Sequence, residues 1–201
     1  MAKPTLLVVD VQNAWDDPAF GQRNNDPSAE ENVARLLQAW RTAEAPIIHV
    51  RQRETDPDWP MLHEGNPGFE FMDEAVPQEG EPVLTKEVNS AFIGTDLEER
   101  LRSTGATTVV IAAFTTDHCG STTVRMSGNL GFETWYVGDA CSTYDREGPD
   151  GEVFPAELVH RTALASVHGE FADVITTDEA IKRLGRAMKP FHSSSRLKDG
   201  A

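Results

Sequence analysis

Short apolar runs rich in β-branched residues recur along the chain, each separated from the next by enough residues to form a helix. The first, Thr5 to Val9, is unbroken by polar alternation, as expected of a strand covered on both faces. Comparable runs at Pro46 to Val50, Pro82 to Thr85, Thr107 to Ala113, Thr134 to Val137 and Ala172 to Thr176 bring the candidate strands to six. Between the first two, Ser28 and Glu31 form a capping-box pattern, followed by Val33, Leu36, Leu37 and Trp40 at the spacing of one helix face. Thr95 with Glu98 opens a shorter helix that Gly105 ends. Pro155 stands where a first helical position would be, in a helix that runs to a stop at Gly169, and Thr176 with Glu179 suggests a last helix. Strands alternating with helices predict an α/β fold. It is a three-layer, doubly wound, mostly parallel six-stranded sheet with right-handed crossovers and helices on both faces.

The 201 residues, 39% hydrophobic and 25% charged, suit one domain with a substantial core, expected over residues 1–188. The polar stretch 189–201 reads as a tail. The segment from Gln52 to Gly80 has several prolines and glycines and no period, and is expected to form an extended loop over a sheet edge or over a pocket. No apolar run is long enough to span a membrane, and MAKPTLLVVD lacks the pattern of a signal peptide, so a soluble, cytoplasmic protein without membrane partners is expected. A formal charge of −15 argues against nucleic acid as a partner, because duplex binding needs a basic face. The same charge gives weak support to a cationic substrate. Cys119 and Cys141 are too few for a disulfide framework and form no C-x-x-C pair, so both are expected as free thiols.

In an open parallel sheet the ligand crevice forms beyond the carboxyl ends of the strands. Asp10 follows the first strand, Lys86 the third, and Cys119 the fourth after a short loop. A cysteine in the first turn of a helix meets unpaired N–H groups and the positive end of the dipole, and both favour the thiolate over the thiol. A carboxylate could take the thiol proton and return it to a leaving amine, while an ammonium beside both favours charge separation. Taken singly, each residue also has an ordinary structural reading: an isolated cysteine is often a small buried hydrophobe, and an Asp after a strand is often a turn residue. Their convergence on one crevice favours chemistry.

The sequences LLVVDVQ, TKEVNSAF, VVIAAFTTDHCGSTTVRMSGNLGF and VGDACSTYD, in that order, resemble the isochorismatase-like cysteine hydrolases, from about Thr5 to about Thr177. That family includes nicotinamidases, N-carbamoylsarcosine amidohydrolases and streptothricin hydrolase. The resemblance implies a catalytic triad: Asp10 as general acid and base, Lys86 as orienting cation, and Cys119 as a nucleophile that passes through a thioester. It also implies a non-proline cis peptide at Phe114–Thr115 and an oxyanion hole made by the backbone N–H groups of Thr115 and Cys119. Nicotinamidases carry an Asp-x-His metal site after the second strand. This chain reads HVRQRETD there, so neither a metal nor any other cofactor is expected.

The expected reaction is hydrolysis of a C–N bond, in an amide, ureido compound or lactam of small size. Vinyl-ether hydrolysis of the isochorismatase type is the enzymatic alternative. Outside enzymes, a flavodoxin-like binding module or a redox thiol protein shares the architecture, although the glycine-poor loop DVQNAWDDPAF and the lack of a G-x-G-x-x-G motif disfavour phosphate binding. Gln12, Trp15, Asn89, Phe92, Thr116, His118 and Tyr144 are the candidate substrate contacts. Phe92 has packing, and His118 the satisfaction of local backbone groups, as the competing role. Cys141 reads as a structural thiol. Homo-oligomers are common in the family, and one is expected here.

Overall fold

The computed structural model describes residues 2–17 and 28–187. The stretch 189–201 read as a tail lies outside the described residues. Six parallel strands form the main sheet: β1 (Thr5–Val9), β2 (Ile47–Gln52), β3 (Val83–Lys86), β4 (Thr108–Ala113), β5 (Glu133–Val137) and, after a short antiparallel hairpin of β6 (Arg146–Glu147) and β7 (Val153–Phe154), β8 (Asp173–Ile175). Their spatial order is β3-β2-β1-β4-β5-β8, so all six expected strands are present, each within two residues of its expected ends. The hairpin was not expected, because two-residue strands leave no apolar run to read.

Helices cover both faces. On one, α1 (Ala29–Thr42) and α5 (Thr177–Ala187) pack Val33, Leu36, Trp40, Ala180 and Leu184 against Leu6, Val8, Val110 and Ala112 of the central strands. On the other, α2 (Leu97–Ser103), α3 (Ser121–Asn129) and the end of α4 (Ala156–Val167) bring Leu97, Leu101, Val124 and Val167 onto Leu7, Val9, Val109 and Ile111. Consecutive strand residues therefore enter opposite cores, and the strands are apolar at every position for that reason. Trp40 is fully buried and its indole donates to Pro4 O at 2.9 Å, which satisfies the polar atom that burial would otherwise strand. Among the described residues, no helix is long and apolar enough to cross a membrane.

Local starts differ from the sequence reading in three places. Ser28 precedes α1 but makes no side-chain cap bond. Pro155 is the N-cap of α4, one position before the helix, where its missing N–H is equally harmless. Cys119 lies in a π-helical turn, Thr116–Gly120, and α3 begins only at Ser121. The last helix does start as its sequence suggests, with Glu179 N donating to Thr176 Oγ1 at 3.3 Å.

The chain winds from β1 outward through β2 and β3, then returns past β1 to β4 and continues to β5 and β8. The reversal lies between β1 and β4, and loops leaving those two strands diverge to open a crevice at their carboxyl ends.

Candidate active site

Asp10 leaves β1 with a φ of 57°, a left-handed conformation that Asp adopts more readily than most residues. Its N–H donates to Val50 O at 2.8 Å, and its carbonyl accepts from Gln12 N at 2.9 Å and from the indole of Trp15. The backbone is thus fixed at the switch point. On β3, Leu84 and Lys86 face inward while Val83 and Thr85 are more exposed, so the alternation of the strand sends the lysine toward the crevice. Lys86 pairs in register with Gln52 of β2, which lies between it and β1. Cys119 arrives from β4 through a peptide bond between Phe114 and Thr115 that is cis, and through the π turn.

These three elements bring Asp10, Lys86 and Cys119 together. Lys86 Nζ is 2.6 Å from Asp10 Oδ2, 3.3 Å from Cys119 Sγ and 2.5 Å from Gln52 Oε1, so the ammonium has a partner for each of its three protons. Asn89 Nδ2 approaches Cys119 Sγ at 3.9 Å. Asp10 Oδ1 is buried without a hydrogen-bond partner among the described residues, a costly arrangement unless a proton is to arrive there.

Burial pushes the Asp10 carboxyl above the usual carboxylate range, against the pull of Lys86. Burial also disfavours the Lys86 ammonium, but Asp10 and Cys119 more than offset it and raise its pKa. The Cys119 thiol is pushed up to about 12, by burial first and by the Asp10 carboxylate second, with Lys86 opposing. The pull toward the thiolate expected from a helix start is therefore not met. The nucleophile does not lie in the first turn of α3, and removal from water outweighs the nearby ammonium. The site therefore sets a thiol beside a carboxyl group whose basicity burial enhances.

A cavity of about 240 Å³ opens above Cys119. Of the residues chosen from sequence, Trp15, Asn89, Thr115, His118, Cys119 and Tyr144 line it. Gln12, Phe92 and Thr116 do not, and each has a structural task. Gln12 Nε2 donates to Gln52 O at 3.0 Å and Phe69 O at 2.9 Å, and its Oε1 accepts from Gln52 N at 2.8 Å, tying the loop after β1 to the 52–80 segment. Phe92 stacks on Phe132 with centroids 6.3 Å apart. Thr116 Oγ1 meets His160 Nδ1 at 2.9 Å, while its carbonyl accepts from the Tyr136 hydroxyl at 3.0 Å.

Gln52, Glu54, Trp59, Leu62 and Arg146 also line the cavity and were missed. Gln52 ends a strand, a position that the crevice rule singles out. Trp59 and Leu62 come from the 52–80 loop, which does lie over the pocket, in short 3₁₀ turns including Pro60–Leu62 and Pro67–Phe69. Arg146 belongs to the unexpected hairpin and donates to both oxygens of Asp117, from Nε at 2.8 Å and from Nη2 at 3.2 Å.

His49 Nε2 meets Glu81 Oε2 at 2.8 Å, and His63 Nε2 meets Asp56 O at 2.8 Å. Cys141 is fully buried, with Sγ 3.2 Å from Val137 O and its thiol pushed up to about 12 by burial.

Residues 4–179 match the family model of the isochorismatase domain. The isochorismatase family protein YrdC of Bacillus subtilis is 43% identical over 89% of this chain and 95% of its own length. Maleamate amidohydrolase of Pseudomonas putida is 28% identical, covering 90% of this chain and 87% of its own. A crystal structure of an isochorismatase-family protein from Chromobacterium violaceum superposes with a TM-score of 0.88 at 42% identity, covering 92% of this chain and 94% of that one. With the fold and the family match in agreement, the chain belongs to the isochorismatase family of hydrolases.

Proposed function

We propose that this hydrolase cleaves the C–N bond of a compact amide or ureido compound through a thioester on Cys119. The observation that carries the reading is the contact of one buried ammonium, Lys86 Nζ, with Asp10 Oδ2 at 2.6 Å and with Sγ of Cys119 at 3.3 Å, Cys119 being the member of the three that lines the cavity. The amidohydrolase activity in the name of the Pseudomonas relative supports the bond type.

Asp10 takes the proton of the Cys119 thiol as sulfur attacks the carbonyl carbon, and Lys86 offsets the negative charge that shifts onto the sulfur. The neighbouring N–H groups of Thr116 and Gly120 are spent on Ser142 O and Thr115 O, each at 2.9 Å. By the family resemblance, the N–H groups of Thr115 and Cys119 receive the oxyanion. Protonated Asp10 then gives its proton to the leaving nitrogen as the C–N bond breaks. Water attacks the thioester, Asp10 accepts its proton, and the thiol is restored as the acid departs. A nucleophile whose pKa stands near 12 needs such a base, and the buried carboxylate supplies one.

Ammonia or amine release from a panel of small amides, ureido compounds and lactams, compared between the wild type and Cys119→Ala, tests the reading. Release that vanishes in the variant is expected. Hydrolysis of isochorismate-like ethers with no amide cleaved would overturn it.

A further inference from the structure

The charged groups around the cavity cancel one another except at one residue. Lys86 is matched by Asp10, and the guanidinium of Arg146 reaches the cavity already held by both oxygens of Asp117. Glu54, half-buried in the same lining, has no cation within ion-pair distance among the described residues. It is nevertheless held in place. Its Oε1 accepts from Gln52 Nε2 at 2.7 Å, and Gln52 Oε1 in turn accepts from Lys86 Nζ at 2.5 Å. The ammonium is only a donor and the carboxylate only an acceptor, so the Gln52 amide can sit in one orientation alone. The triad thus continues, through one amide, to a carboxylate that lines the cavity.

We propose that Glu54 is a specificity-determining residue, through which the site selects compact amides that carry a cationic nitrogen and disfavours those that carry a carboxylate. This rests on the reading of the site as an amide hydrolase. A cation in the cavity would gain the uncompensated carboxylate and the company of the aromatic side chains Trp15, Trp59 and Tyr144, which line the same space. A carboxylate would meet repulsion from Glu54 and find Arg146 already paired. The chain's formal charge of −15 adds a long-range pull on cations and repels anions.

Calorimetric titration of Cys119→Ala with 4-aminobutanamide and with succinamate, which are similar in length and opposite in charge, tests the selection without requiring turnover. The cationic amide should bind at least about tenfold more tightly, the scale of one charge-assisted hydrogen bond. Adding Glu54→Gln should bring the two affinities together, and Glu54→Asp, which keeps the charge, should preserve the preference. Equal affinities, tighter succinamate, no binding of either compound, or a preference that survives E54Q overturns the assignment. A preference for the cation in a protein that hydrolyses no amide supports the role of Glu54 and overturns the proposed reaction instead.

Discussion

The ammonium of Lys86 lies 2.6 Å from the carboxylate of Asp10, with both side chains fully buried. Taking two charges out of water is costly, and the pair is tolerated because each neutralises the other and Gln52 and Cys119 complete the lysine's coordination. Lys86→Met leaves Asp10 buried without its counter-ion and should destabilise the protein by about 3 to 5 kcal/mol. Asp10→Asn with Lys86→Met removes both charges and should recover most of that loss while remaining inactive. Urea unfolding of the single and double variants checks this, and a single variant as stable as the wild type would sink it.

The thiol of Cys119 should stay protonated across the neutral range. Burial holds its pKa at about 12, so the thiolate absorbance assigned to it, taken as the difference from Cys119→Ala, should rise only in strongly alkaline solution. The Asp10 carboxylate contributes to that elevation and Lys86 opposes it. Asp10→Asn should therefore lower the midpoint and yet abolish turnover, because the same carboxylate that disfavours the thiolate carries the proton. A midpoint near 9 or below in the wild type would contradict the burial argument.

Legibility followed the physics of each element. The six strands could be read because a parallel strand buried on both faces must be apolar at every position, and Leu6 and Leu7, which enter opposite cores, show why. Asp10 and Lys86 stood out because they break such runs at the carboxyl end. Glu54, Trp59 and Leu62 did not, since their places depend on how Gln12 pins the 52–80 segment, a contact that no local pattern encodes. Thr116 and Thr115 are neighbours in one motif, yet one meets His160 and the other lines the cavity. Sequence spacing does not separate them.

Gly120, directly after the nucleophile, has no room for a side chain. A Cβ there would lie well inside contact distance of the Tyr136 hydroxyl, and 3.0 Å from Thr115 O. That hydroxyl donates to Thr116 O at 3.0 Å, so an intruding methyl would displace a bond that holds the nucleophile loop. Gly120→Ala should cost about 1 to 3 kcal/mol of stability and most of the activity. Tyr136→Phe removes the clashing oxygen and should restore part of both in the double variant. Additive losses in a double-mutant cycle would show that the two residues act separately.

Glu81 should give the protein a distinct acid sensitivity away from the candidate site. Its carboxylate accepts from Arg41 Nε at 2.7 Å, from Arg41 Nη2 at 2.9 Å and from Gln78 N at 2.9 Å, and it meets His49 Nε2 at 2.8 Å. These bonds outweigh the cost of burial and hold its pKa at about 2, below the ordinary 4.5. Between those values the unfolded chain takes up the proton and the folded chain does not. The stabilisation is therefore fully present above pH 4.5 and is lost as the pH falls toward 2. Burial lowers the pKa of His49 despite the Glu81 carboxylate, and this works in the same direction, because the unfolded chain binds that proton more readily than the folded one. Glu81→Gln should lower stability at pH 7 by about 2 kcal/mol and flatten its decline between pH 5 and pH 3. Thermal unfolding measured across that range decides the matter: equal slopes in the two proteins would mean that Glu81 titrates normally in the fold.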